Sequence, residues 1–219
     1  MEQAKSPSAL TILKVLKRSY TPPRTFLRFR TPLDLLVVTI LSAQCTDKRV
    51  NLVSKELYKK YRTPRDYLSV PRNALEKDIR TCGFYRSKAR YIQGMCRMLI
   101  EKHCGKVPQS MDELTLLPGV GRKTAAIILW AAYGKNEGIA VDTHVIRLAQ
   151  RLGLSKHKDP KKIELDLMQK FPRKEWGLIT TFLISHGRAV CTARNRTCER
   201  CSFKNNCPSS VVMGRKDHF

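Results

Sequence analysis

The segment Leu116-Leu117-Pro118-Gly119-Val120-Gly121-Arg122-Lys123-Thr124 constrains this chain more than any other. Proline removes a backbone donor and fixes its own φ. Two glycines so close together open conformations that a residue with a Cβ adopts only at a cost. One helix must therefore end here. The run Ala125 to Trp130 is apolar, of good helix composition and closed by Gly134, so a second helix starts at once. The segment reads as helix, hairpin, helix, with Lys123 in the first turn of the second helix. Free N–H groups and the positive end of the helix dipole gather there, a natural seat for a phosphate. A Walker loop would need glycine where Arg122 stands. A dinucleotide fingerprint would need a third glycine where Thr124 stands, and a strand ahead of it. A plain connector between two helices is the alternative.

Charge says what such a hairpin could grip. Lys and Arg number 42 against 18 Asp and Glu, so the chain of 219 residues carries a net charge of +24. The cations are spread along the sequence, which makes the folded body itself a polycation and nucleic acid its first partner. An anionic membrane surface comes second, but no apolar run approaches the roughly 20 residues of a membrane span. The first 20 residues lack the apolar core and cleavage site of a signal peptide. These features point to an intracellular, cytoplasmic and nucleoid-associated protein with no membrane attachment. Eight cysteines in such a compartment argue for metal or redox chemistry before disulfides.

Apolar periodicity predicts helices throughout, with no alternating strand and no internal repeat. Leu10, Leu13 and Leu16 mark an N-terminal helix. Thr31-Pro32 opens a strong one, with Thr31 as N-cap and Asp34 completing a capping box, and Leu35 to Leu41 must be buried nearly all round. Thr46 caps the next helix, Thr63-Pro64-Asp66 repeats the start signal, and Pro71 opens a short helix ending near Gly83. Tyr85 to Leu99 keeps a helical period until Gly105. Beyond the hairpin, helices are marked by Val141 to Leu152, by Ile163 to Phe171, and by Trp176 to Leu183 before Gly187. The fold class is all-α. The polar link at residues 134–138 sets the boundary between a helical domain at 25–135, which holds the hairpin, and a second helical domain made of 1–24 plus 136–219.

Cys191, Cys198, Cys201 and Cys207 follow the spacing C-x6-C-x2-C-x5-C, with no histidine among them. Four thiolates in one short loop close around a soft metal centre. Spacing alone leaves a structural zinc and an iron–sulfur cluster both open. Arg194, Arg196, Arg200 and Lys204 lie between the ligands, so the metal would stiffen a cationic loop too poor in apolar residues to fold by itself. Asp142, in Val141-Asp142-Thr143-His144, reads by itself as an N-cap. Beside a lysine it gains a second reading. An amine that loses its proton is a nucleophile for a sugar carbon, and a carboxylate can stabilise the resulting cation. His144 is more simply structural.

Taken together, these segments resemble the endonuclease III family of helix–hairpin–helix DNA glycosylases, which carry a [4Fe–4S] cluster. Leu41-Ser42-Ala43-Gln44, Gly83-Phe84-Tyr85-Arg86-Ser87-Lys88-Ala89 and Ser185-His186-Gly187-Arg188 match the same pattern, in order, over about residues 31–207. The resemblance implies two helical domains flanking a DNA-binding cleft. It also implies a bifunctional enzyme with two steps: excision of a damaged pyrimidine from duplex DNA, then cleavage at the abasic site by β-elimination. Lys123 would attack C1′ of a flipped nucleotide, and Asp142 would assist. Gln44 would fill the space opposite the estranged base, with Phe84 where the family often has a leucine wedge. Gly119, Val120, Gly121, Arg122, Thr124, His144, Arg194 and Arg196 would contact DNA, and the four cysteines would hold the cluster. The family's adenine glycosylases lack the lysine, its thymine-mismatch glycosylases tend to replace it, and its 8-oxoguanine glycosylases usually lack the cysteine loop. The protein is expected to act as a monomer. A non-catalytic DNA-binding module with a structural metal loop is the competing class. Cys45 and Cys82 neighbour the Gln44 and Phe84 motifs without an assigned chemical role, and Cys96 packs in its helix.

Overall fold

The structure, a computed structural model, describes residues 6–215, 217 and 219. The described residues form helices and connecting turns, with no strand among them, and no helix there is long and apolar enough to cross a membrane. Internal contacts divide the chain into two compact units, Thr25–Lys135 and a discontinuous one made of Met1–Arg24 with Asn136–Phe219. Helix α1 (Ala9–Ser19) opens the discontinuous unit. The continuous unit holds α2 (Pro32–Ser42), α3 (Asp47–Lys60), α4 (Pro64–Ser69), α5 (Arg72–Ile79), α6 (Tyr85–His103), α7 (Met111–Leu116) and α8 (Arg122–Tyr133). The chain then returns to the discontinuous unit with α9 (Thr143–Arg151), α10 (Pro160–Lys170) and α11 (Trp176–Ala189).

In the continuous unit α2 is the central element. Leu35, Leu36, Val37, Val38 and Leu41 have no exposed surface, and α3, α6 and α8 pack around them. A helix apolar on every side is stable only when other helices cover every side, and that requirement places α2 at the centre. Its start departs from the sequence reading in one detail. Thr31 Oγ1 accepts from Asp34 N at 3.1 Å, but the Asp34 carboxylate takes the Arg30 N–H at 3.2 Å and Arg30 Nε at 2.9 Å. Asp34 is nearly fully buried, and a buried carboxylate gains more from a guanidinium than from a cap amide alone. The full reciprocal box forms two helices later, at α4, where Asp66 Oδ2 accepts from Thr63 N at 2.9 Å.

In the other unit α11 packs against α9 and α1. Gly187 does not end α11, which runs on to Ala189. A Cβ there would stand 2.9 Å from Arg147 Nη2 and 3.1 Å from Leu148 Cδ2. The glycine is spent on close approach to α9, and the helix tolerates it. Lys17 Nζ reaches Glu175 Oε1 at 2.6 Å, which ties α1 to the turn ahead of α11.

Candidate active site and cysteine centre

The hairpin forms as the glycines require, but the two glycines do different work. Gly119 has φ +79°, and a Cβ on it would lie 2.9 Å from Tyr91 Cβ. It supplies both a left-handed backbone and room for a ring from α6. Gly121 has φ −92°, and nothing lies within 4 Å of where its Cβ would be. No packing and no strain in the folded protein ask for glycine at that position. Gly121 is the N-cap of α8, and no side chain caps that helix. The helix therefore starts at Arg122 without a side-chain cap, the arrangement that receives a phosphate.

Arg122 and Lys123 are exposed on this first turn, and Thr124 is half-buried. Val120 is buried, and its N–H is used inside the turn, donating to Leu117 O at 3.0 Å. At Val120 only the remaining backbone can face a ligand. Two more exposed side chains stand at turns of the same unit. Gln44 and Phe84 both adopt left-handed backbone, with φ of 51° and 47°. Phe84 is 66% exposed, and a bare aromatic ring on a turn is costly in water unless a partner covers it.

Asp142 lies in the discontinuous unit, as the N-cap of α9. Its Oδ1 accepts from Val145 N at 2.8 Å. Its second oxygen is 3.6 Å from His144 Nδ1, and the carboxylate is about one-fifth exposed. One oxygen holds the helix start, and the other lies beside an imidazole.

The four cysteines come together as the spacing predicts: Cys191, Cys198, Cys201 and Cys207 line one cavity with Arg151, His186, Arg196 and Ser210. Four features distinguish the lining of this cavity. Burial pushes the Cys201 thiol up to about 11 and raises that of Cys207, so neither is comfortable as a lone thiolate. Phe203 N donates to Cys201 Sγ at 3.4 Å. Arg151, whose side chain is 3% exposed, sends Nη1 to Cys191 Sγ at 3.5 Å and to Thr192 O at 2.7 Å. Ser210 Oγ is fully buried with no hydrogen-bond partner. Among the described residues no three His, Cys, Asp or Glu side chains converge on a position for a single ion.

Several of these supports were not legible in the sequence. His186 was part of a matching motif with no assigned role. It stacks edge-on to Phe203, accepts or donates to Tyr20 OH at 2.9 Å, and puts Nε2 3.6 Å from Cys201 Sγ. Burial lowers its pKa to about 4, so the ring is neutral. Arg147 donates to Cys191 O at 3.2 Å and Gly187 O at 3.3 Å. Arg194 is exposed, as a phosphate contact must be. Arg196 differs from that expectation: its side chain is 13% exposed, lines the cysteine cavity and lies 3.1 Å from Asp217. Its charge is used inward, beside thiols that need it.

Comparison with known proteins returns one consistent answer. Residues 37–173 match the profile of the HhH-GPD superfamily base excision DNA repair protein. The chain is 47% identical over 207 residues to endonuclease III of Synechocystis sp., covering 94% of each chain. It is 46% identical over 186 residues to endonuclease III of Bacillus subtilis, covering 84% of each. A solved structure of a trapped endonuclease III–DNA covalent intermediate, an estranged-adenine complex, superposes with a TM-score of 0.89 at 42% identity and covers 95% of this chain and all of that one.

Proposed function

The chain belongs to the HhH-GPD superfamily of base excision DNA repair proteins, and from that premise we propose that Lys123 and Asp142 carry a two-step reaction on damaged pyrimidines in duplex DNA. It is a DNA glycosylase with associated abasic-site lyase activity, of the endonuclease III type, and double-stranded DNA is its partner. The observation that carries the reading is an exposed lysine in the first turn of a helix whose start has no side-chain cap. Phosphate at this uncapped helix start brings the sugar of the same strand to the lysine amine.

In the first step the Lys123 amine attacks C1′ of the extruded nucleotide, and the base leaves with its bonding electrons. Extrusion is required because C1′ is shielded within the stack. Asp142 lies in the other unit, and we assign to its carboxylate the charge that favours loss of the lysine proton and offsets the cationic sugar. Ring opening leaves a Schiff base between Nζ and C1′. Loss of a C2′ proton then expels the 3′ phosphate, and water releases the enzyme. Gln44 and Phe84 are the side chains we assign to the space left by the flipped base, since both project from strained turns. Gly119, Gly121, Arg122, Thr124, His144 and Arg194 supply backbone or cationic contacts to the strand.

We assign the four cysteines to a [4Fe–4S] cluster. Four cysteine sulfurs that line one cavity suit a cluster in which every sulfur takes a different iron, and a single Cys-x2-Cys pair departs from the two pairs usual in a zinc ribbon. The cluster's contribution is structural: it would fix a loop whose exposed face carries Arg194 and Arg200. A duplex carrying one oxidised pyrimidine tests the function. The expected products are free base and a strand ending in an unsaturated aldehyde. Binding without base release, at saturating protein, would favour a non-catalytic DNA-binding module.

A further inference from the structure

Of the described lysines only Lys88 is buried, at 3% exposure, and the chemistry assigned above does not use it. It ends the first turn of α6, where its backbone N–H donates to Phe84 O at 3.0 Å. Side chains on a helix lean toward its N-terminus, so Lys88 runs back over that turn. Its Nζ donates to Leu41 O and to Cys82 O, each at 2.8 Å. Leu41 lies near the end of α2, shortly before Gln44, and Cys82 closes the 3-10 turn Arg80–Cys82, shortly before Phe84. One ammonium therefore sets the spacing between the backbones of the two turns.

That ammonium is costly to bury. Its hydrogen-bond partners are two neutral carbonyls, and no carboxylate pairs with it among the described residues. Burial accordingly lowers its pKa from the ordinary lysine value. The start of α6 is the positive end of that helix dipole and opposes a cation, whereas the end of α2 favours one. The other last carbonyls of α2 are held locally: Thr39 O by Ser42 Oγ at 2.8 Å, Ile40 O by Ala43 N at 3.4 Å and Ser42 O by Cys45 N at 3.1 Å. Of these carbonyls Leu41 alone takes its donor from α6. Both anchored turns also carry strain. Gln44 and Phe84 have φ of 51° and 47°, and the other non-glycine residue with positive φ among the described ones is Cys104, the C-cap of α6. Such residues persist where their surroundings over-determine them, and they gather at functional sites.

We propose that Lys88 is a positioning residue for base extrusion: its ammonium fixes the Gln44 turn against the Phe84 turn, so that the two exposed side chains enter the duplex at one spacing. This rests on the reading that Gln44 and Phe84 fill the space left by the flipped base. Lys88 is buried and acts only through the two carbonyls. Without it each turn keeps its local bonds, but insertion must first bring the turns into register.

The test uses the cluster-loaded protein and Lys88→Met, which keeps the chain length and removes the donors. The duplex carries one oxidised pyrimidine with 2-aminopurine opposite it, whose fluorescence changes when its partner leaves the stack. In single turnovers the fluorescence step and base release should both slow by about 10–10²-fold, as a misplacement near one ångström does. Affinity for undamaged duplex should not change, because the phosphate contacts lie elsewhere. Leu99→Ala, on the same helix and fully buried, removes packing but neither bond; it should lower the Tm and leave the fluorescence step alone. In a Phe84→Ala background Lys88→Met should add little further slowing. Should Lys88→Met fail to fold, Lys88→Gln keeps an uncharged donor on a shorter arm and should slow the same step in smaller measure. Extrusion at the parent rate in the Lys88 variant, a loss that Leu99→Ala reproduces, or a full additive loss in the Phe84→Ala background would overturn the proposal. Undiminished extrusion by Phe84→Ala and by Gln44→Ala would instead count against the reading that places those side chains in the duplex.

Discussion

Replacing Gly119 by alanine should unfold the protein at a distinctly lower temperature, while the same change at Gly121 should not. At Gly119 the methyl group enters a backbone with φ +79° and meets Tyr91 Cβ at 2.9 Å and Cγ at 3.1 Å. The left-handed backbone costs an L residue roughly 1–2 kcal/mol. The clash is with the root of an aromatic side chain, which cannot swing away, and overpacking of that kind costs about 1–3 kcal/mol. Together they give about 2–5 kcal/mol, or roughly 5–15 °C of Tm for a chain of this size. At Gly121 neither cause exists, and the loss is at most about 1 kcal/mol from exchanging a glycine N-cap for alanine. Thermal melts followed by circular dichroism at 222 nm decide it. If Gly119→Ala melts within about 2 °C of the parent, or Gly121→Ala falls as far, the division of labour between the glycines is wrong. The DNA arm inverts the order: Gly121→Ala, stable but with a methyl where a phosphate must approach, should weaken DNA binding more than it weakens the fold.

Asp142→Asn keeps a good N-cap and removes the charge, so the melt should change little while base release slows by about 10²-fold or more; Asp142→Ala should lose roughly 1 kcal/mol of stability as well. Affinity for duplex DNA should fall steeply between low and moderate salt, and a salt-insensitive Kd would refute a phosphate-dominated interface. Removing the metal centre by oxidation and chelation should bleach a brown protein and lower its Tm, with DNA binding weakened; a colourless preparation that holds zinc would refute the cluster assignment. Arg151→Leu should make the centre labile, because the Thr192 and Ala193 carbonyls lose their donor at about 1–3 kcal/mol each, which metal retention against a chelator measures.

Local chemistry carried most of the fold into the sequence. Thr46 and Thr63 announce their helices because a cap is a contact between residues three apart, and each is seen accepting the expected amide. The all-apolar run of α2 likewise contains its own burial. Long-range roles were not legible. Nothing near Gly187 shows that Arg147 presses on it from 40 residues away, so a helix stop was the natural reading of what is a packing glycine. Nothing near Gly119 announces Tyr91. Arg196 looks like Arg194 in sequence, and only Asp217 and the cysteine cavity separate an inward charge from an outward one. Lys88 reads as one more cation in a basic chain until its two carbonyl partners are seen.

The central claim is that Lys123 forms a covalent bond to the sugar. Borohydride reduces a Schiff base to a stable secondary amine, so the protein incubated with duplex DNA containing one abasic site, in the presence of borohydride, should run as a covalent protein–DNA adduct on a denaturing gel. Peptide mapping should place the link at Lys123, and Lys123→Gln should give no adduct while still binding the duplex. No adduct in the unaltered protein, or an undiminished adduct in Lys123→Gln, would contradict the account.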